Sequence, residues 1–198
     1  SHNNTFANNT LLQNPALFGT SIVKLCSAEN NTFLGNTLIE NITYFLEHGM
    51  TIATRMDGFF LDNSAGNSFV NNSSTVHNIP VFLVHSDDCV IIDNEMNYGE
   101  LAVNILTGVN TRIERNEMMP LSVGGSALQS PAIIAELAHN SIIANNIIEG
   151  RSYGGIYLAH TSNSFILNND IQLTRAERID AITFGGWVGI MVFVGSEN

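Results

Sequence analysis

The chain has 198 residues, enough for one domain with a substantial core, and 44% of them are apolar, which excludes a disordered chain. Its formal net charge is −11 with Lys24 the single lysine, so no basic stripe exists to meet nucleic acid. No apolar run approaches the roughly 20 residues that span a bilayer, and Ser1-His2-Asn3-Asn4 lacks the basic-then-apolar signal pattern.

Taken in chain order, the sequence repeats one rule: apolar–x–x–Asn–x, then usually apolar. The stretches are Phe6 to Leu11, Phe33 to Leu38, Phe69 to Ser74, Ile91 to Met96, Ile113 to Met118, Ile143 to Ile148 and Ile166 to Ile171. Their shared residues are Asn9, Asn36, Asn72, Asn94, Asn116, Asn146 and Asn169, spaced by 27, 36, 22, 22, 30 and 23 residues. The base period is therefore about 22 residues, one coil of a parallel β-helix, with extra residues in the first, second and fifth gaps. The longest extra segments fall within Thr37–Asp57, within Glu117–Pro131 and after Asn169. In coiled scaffolds such loops form groove walls.

A second strand precedes each anchor from the second onward, and its alternate residues are apolar. The pairs are Val23/Leu25, Phe59/Leu61, Val81/Leu83, Val103/Ile105, Ile133/Ala135 and Ile156/Leu158, with Ile190/Val192 on a last strand that no anchor follows. A period of two is a strand with one buried face, which neighbouring coils must complete. An amphipathic helix would need spacings of three and four, and Asn, at 26 of 198 residues, is a poor helix former. The anchor asparagines are read as an inward ladder that bonds backbone and the next amide, at a bend that calls for left-handed backbone.

The expected fold is all-β: a single-stranded right-handed parallel β-helix of seven to eight coils with loop insertions. It forms one domain over 1–198, complete or part of a longer solenoid. Both termini fall at repeat boundaries without a capping helix, so each coil end is expected to be a raw sheet edge. Cys26 and Cys89 fall in different columns two coils apart, about 10 Å at about 4.8 Å per coil, which predicts two free thiols. They leave the compartment open.

Asn31-Thr32-Phe33, Asn67-Ser68-Phe69, Asn163-Ser164-Phe165 and Gly154-Gly155-Ile156-Tyr157-Leu158 carry a resemblance to the right-handed β-helix repeats of the pectin-lyase-like superfamily. It covers almost the whole chain. It implies a secreted or cell-surface protein acting on, or binding, polysaccharide. Ser86-Asp87-Asp88-Cys89-Val90 resembles the Asp-Asp-Cys element of polygalacturonases, whose aspartates act on the attacking water and the leaving group. The Gly-His-Gly and Arg-x-Lys elements of that group are absent. Asp87 and Asp88 also occupy a turn slot of the repeat, where aspartate serves the backbone.

Outward positions of the long strands form two columns. One runs Lys24, Phe60, Phe82, Asn104, Ile134, Tyr157, Met191; the other runs Cys26, Asp62, Val84, Leu106, Glu136, Ala159, Phe193. Aromatics beside carboxylates suit sugar rings, so Phe60, Phe82, Tyr157, Glu136 and Lys24 are the candidate substrate-binding residues. The same apolar face, or the coil ends, equally suits a homo-oligomer contact. Asp62, His85, Asp87 and Asp88 fall near one end of that sheet and are the candidate acid/base group for hydrolysis. Their carboxylates would also suit Ca²⁺, although no other cofactor and no metal-ligand spacing is evident. The functional expectation is a polysaccharide-binding or polysaccharide-processing β-helix; the alternative is a structural or adhesive segment without catalysis.

Overall fold

The computed structural model describes residues 1–13, 21–41, 57–121, 130–150, 154–173 and 188–193. Among them lie 21 strands in three seven-stranded sheets, all paired in parallel. The first sheet holds β1 (Thr5–Ala7), β4 (Thr32–Leu34), β7 (Ser68–Val70), β10 (Val90–Ile92), β13 (Arg112–Glu114), β16 (Ile142–Ala144) and β19 (Phe165–Leu167). The second holds β2 (Thr10–Gln13), β5 (Thr37–Glu40), β8 (Ser73–Val76), β11 (Glu95–Tyr98), β14 (Glu117–Pro120), β17 (Ile147–Gly150) and β20 (Asp170–Leu173). The third holds β3 (Ser21–Cys26), β6 (Asp57–Asp62), β9 (Val81–Val84), β12 (Val103–Val109), β15 (Ile133–His139), β18 (Gly154–Ala159) and β21 (Val188–Phe193). Each coil contributes one strand to each sheet, which is a parallel β-helix.

The anchor stretch is therefore two strands, not one. A two-residue bend separates the first sheet from the second, at 8–9, 35–36, 71–72, 93–94, 115–116, 145–146 and 168–169. The left-handed backbone falls on the residue before the anchor: Asn8, Asn71, Asp93, Arg115, Asn145 and Asn168, with Gly35 in the remaining coil. This corrects the sequence expectation. The anchor turns its side chain inward, and its predecessor makes the bend.

The ladder is continuous. Asn36 Nδ2 donates to Asn72 Oδ1 at 3.0 Å, Asn72 to Asn94 at 3.0 Å, Asn94 to Asn116 at 2.9 Å and Asn116 to Asn146 at 3.0 Å. Each oxygen also takes the preceding anchor's backbone N–H, and each amide also donates to a main-chain carbonyl of the preceding coil. No buried amide hydrogen is wasted, which is what makes buried asparagine tolerable. A shorter second ladder runs Asn4, Asn31, Asn67 and stops where Cys89 takes the next slot.

Between the ladders the interior is apolar. Phe33 stacks on Phe6 and Phe69 at centroid separations of 5.0 and 5.3 Å, and Ile91, Ile113 and Ile143 continue the column. Burial of each such side chain contributes roughly 1.5–3 kcal/mol. The inward pairs of the third sheet are buried from Phe59/Leu61 to Ile156/Leu158. Ile190 and Val192, on the last described strand, are exposed at 44% and 55%. Cys26 and Cys89 are both free, as their spacing requires.

All length variation sits at one corner. From the third sheet to the first the spacing is constant: Cys26, Asp62, Val84, Leu106, Glu136 and Ala159 each stand six residues before Thr32, Ser68, Val90, Arg112, Ile142 and Phe165. From the second sheet to the third the chain is short at 77–80, 99–102 and 151–153, and longer at 14–20, 41–56, 121–132 and 174–187. The predicted insertions within 37–57, within 117–131 and after Asn169 fall largely in residues outside the described set.

Candidate functional site

The third sheet aligns the outward residues in two rows. Lys24 pairs with Phe60, Phe60 with Phe82, Phe82 with Asn104, Asn104 with Ile134, Ile134 with Tyr157 and Tyr157 with Met191. Phe60 and Phe82 meet edge to face with centroids 5.4 Å apart, and Lys24 Nζ lies 5.3 Å from the Phe60 centroid. From Phe60 to Tyr157 these side chains are half-buried, and Lys24 is exposed. In the neighbouring row Asp62 stands between Cys26 and Val84, and Glu136 between Leu106 and Ala159. The candidate substrate-binding residues thus share one face, with Glu136 three coils beyond Asp62.

The candidate acid/base group divides. His85 Nδ1 is 3.9 Å from Asp62 Oδ1, both side chains being solvent-accessible. His85 has a φ of +47°, in a column of left-handed residues with Ser27, Asn63, Thr107, Leu137 and His160. Asp88 has a φ of +54° and belongs to a second such column with Asn30, Asn110, Asn140 and Asn163. Its Oδ1 accepts from Asn110 Nδ2 at 2.9 Å. Asp87 Oδ1 accepts the Val109 backbone N–H at 2.9 Å, and Asp87 O accepts the Gly66 N–H at 2.8 Å. Both aspartates therefore bond the turns of neighbouring coils.

The opposite end of the same sheet holds a polar cluster that the sequence reading missed. Glu40 occupies an inward slot of β5 and its side chain has no exposed surface. Its Oε2 accepts the His77 backbone N–H at 2.7 Å and lies 3.3 Å from His77 Nδ1. Asp57 Oδ1 accepts from Asn78 Nδ2 at 2.6 Å. Burial, reinforced by the negative charges of Glu100 and Glu40, pushes the Asp57 carboxyl up to about 6 despite the Asn78 and Ile79 hydrogen bonds. The buried Tyr98 follows Glu40 and Val76 in the same inward column. One signal in the sequence was a glutamate two residues after Leu38, where the strand period calls for an apolar residue.

The family model described as Periplasmic copper-binding protein (NosD) matches residues 43–183, most of the chain. The chain belongs to this family. Its fold is the right-handed parallel β-helix. Among solved structures, the A-module of the mannuronan C-5 epimerase AlgE4 from Azotobacter vinelandii is similar at 14% identity and a TM-score of 0.58. That match covers 98% of this chain and 58% of the epimerase module, so the chain spans rather more than half of that relative's length. The surface protein and adhesin PfbA from Streptococcus pneumoniae aligns over 98% of this chain and 67% of its own at 10% identity, with a TM-score of 0.40. No curated protein sequence matches.

The NosD description names copper, so the donors matter. Among the described residues no group of three or more His, Cys, Asp or Glu side chains is arranged to hold a metal ion. Met96 and Met118, soft donors that copper(I) would favour, are packed in the core, and the buried Cys89 thiol is pushed up to about 12 by desolvation. The described residues do not fit a copper centre.

Proposed function

We propose that this NosD-family chain works outside the cytoplasm and binds polysaccharide along the outer face of its third sheet. The observation that carries this reading is the half-buried row Phe60, Phe82, Asn104, Ile134, Tyr157, led by the exposed Lys24. A soluble sheet face alternates inward apolar with outward polar residues, and this row keeps aromatics outward. Phe60, Phe82 and Tyr157 supply apolar surface for the C–H faces of sugar rings. Asp62, Asn104 and Glu136 supply hydrogen-bonding groups for hydroxyls, and Lys24 supplies a cation for an acidic substituent. The location follows the family's periplasmic description. That the scaffold is shared with an enzyme named for mannuronan agrees with a polysaccharide ligand. Asp87 and Asp88 are committed to turn hydrogen bonds, so the proposal is one of binding.

Affinity electrophoresis through gels containing neutral or acidic polysaccharides tests it, with Phe60→Ala/Phe82→Ala against an Asn97→Ala control on the second sheet. Retardation by at least one polysaccharide, lost in the double variant and kept in the control, is expected. Retardation that survives the double variant, or none with any polysaccharide, overturns it.

A further inference from the structure

We propose that the corner joining the second and third sheets at Glu40, Asp57 and His77 is a proton-operated latch, which ties three successive coils together in acid and loosens when it loses its proton. Geometry carries the proposal. Glu40 is fully buried, yet among the described residues its Oε1 meets no hydrogen-bond donor, while Oε2 is taken by the His77 N–H. Asn78 is in the same condition: Nδ2 holds Asp57, and its buried Oδ1 meets no donor among the described residues. Two buried acceptors thus sit at this corner without a donor among the described residues.

Among the described residues, the charges acting on Asp57 are those of Glu100, just beyond β11, and Glu40, on β5, and Glu40 in turn meets His77 beyond β8. Asp57, Glu40 and Glu100 are all carboxylates, and neither Glu40 nor Asp57 pairs with a lysine or arginine among the described residues. Burial beside other carboxylates and without a fixed cation favours the protonated form of Asp57. The raised Asp57 carboxyl agrees with that.

The surrounding backbone has no slack to absorb repulsion. Gly58 N–H donates to Ile79 O at 2.9 Å, Phe59 N–H to Pro80 O at 2.8 Å and Glu100 N–H to Asn78 O at 3.2 Å. A Cβ on Gly58 would meet Pro80 O at 2.5 Å, and one on Gly99 would run into the His77 carbonyl. Like charges at this corner are relieved by parting the coils, and the hydrogen bonds of Gly58 and Phe59 are the first to break.

Hydrogen exchange of the Gly58, Phe59 and His77 amides tests the latch, corrected for intrinsic rates, at about pH 5 and about pH 7.5. Protection about tenfold greater in acid is expected for the natural chain. Asp57→Asn should keep its protection at both pH values. Glu40→Gln, which also removes one of the charges, should flatten the dependence and serves if the first variant loses its far-ultraviolet dichroism. Equal protection at the two pH values, or an unchanged pH dependence in the folded variants, overturns the proposal. So does recovery of protection at the higher pH with millimolar Ca²⁺, which would make the corner a metal site.

Discussion

Asn116 Oδ1 accepts both the backbone N–H of Asn94, at 3.0 Å, and its side-chain amide, at 2.9 Å. One oxygen thus ties two coils through two donors. Asn94 does the same for Asn72, at 2.8 and 3.0 Å.

Asn94→Ala leaves the Asn72 N–H and Nδ2 buried without their acceptor and takes a donor from Phe69 O. A loss of about 3 kcal/mol is expected, since each stranded buried donor costs about 1–3 kcal/mol. Asn9 is exposed at the edge of the ladder, so Asn9→Ala should cost under about 1 kcal/mol. Urea unfolding of the two variants measures the contrast, and equal losses would remove the ladder from the account of stability.

Asp57 gives folding a pH dependence of definite sign. Its folded-state carboxyl is raised to about 6 from an ordinary 3.8. The native state therefore holds this proton more tightly than the unfolded chain does. The stability it contributes is fully present below about pH 4 and is lost as pH rises through about 6. The loss is on the order of 2 kcal/mol, given about 1.4 kcal/mol per pH unit and partial exposure. Asp57→Asn should remove this decline from a stability–pH profile measured by chemical denaturation.

The two thiols should react at separate rates. Cys26 is exposed, whereas Cys89 is buried with its thiol pushed up to about 12, and its Sγ lies 3.5 Å from Asp87 O. One thiol per chain is expected to react quickly with a disulfide reagent at neutral pH, the second only on denaturation. Cys26→Ser should abolish the fast phase. Two fast thiols in the native chain would contradict the burial of Cys89.

Leu137 stands at a φ of +51° and is 42% exposed, in the column otherwise occupied by Ser27, Asn63, His85, Thr107 and His160. Left-handed backbone costs an ordinary L-residue roughly 1–2 kcal/mol, and Asn tolerates it best after Gly. Leu137→Asn should therefore stabilise the fold by about 1 kcal/mol, read as a higher urea midpoint with an unchanged slope. A lower midpoint would show that the Leu137 side chain contributes more than its backbone costs.

The sequence by itself determined the period, the coil and the inward face. Alternation of the kind seen at Phe59 and Leu61 is local, and each coil repeats it because each must bury the same face. It likewise set Asn36, Asn72 and Asn94 in register and placed Lys24, Phe60 and Phe82 in one outer row. Tertiary structure alone decided that each anchor divides two strands and that Asp93 or Arg115, not the asparagine after it, takes the left-handed bend. It alone brought Glu40 to His77 and Asp57 to Asn78. Those residues flank the one corner whose length varies from coil to coil, so the ruler of about 22 residues fails there. Which side chains meet across that corner depends on where the second and third sheets stack, and burial of the apolar interior fixes that stacking.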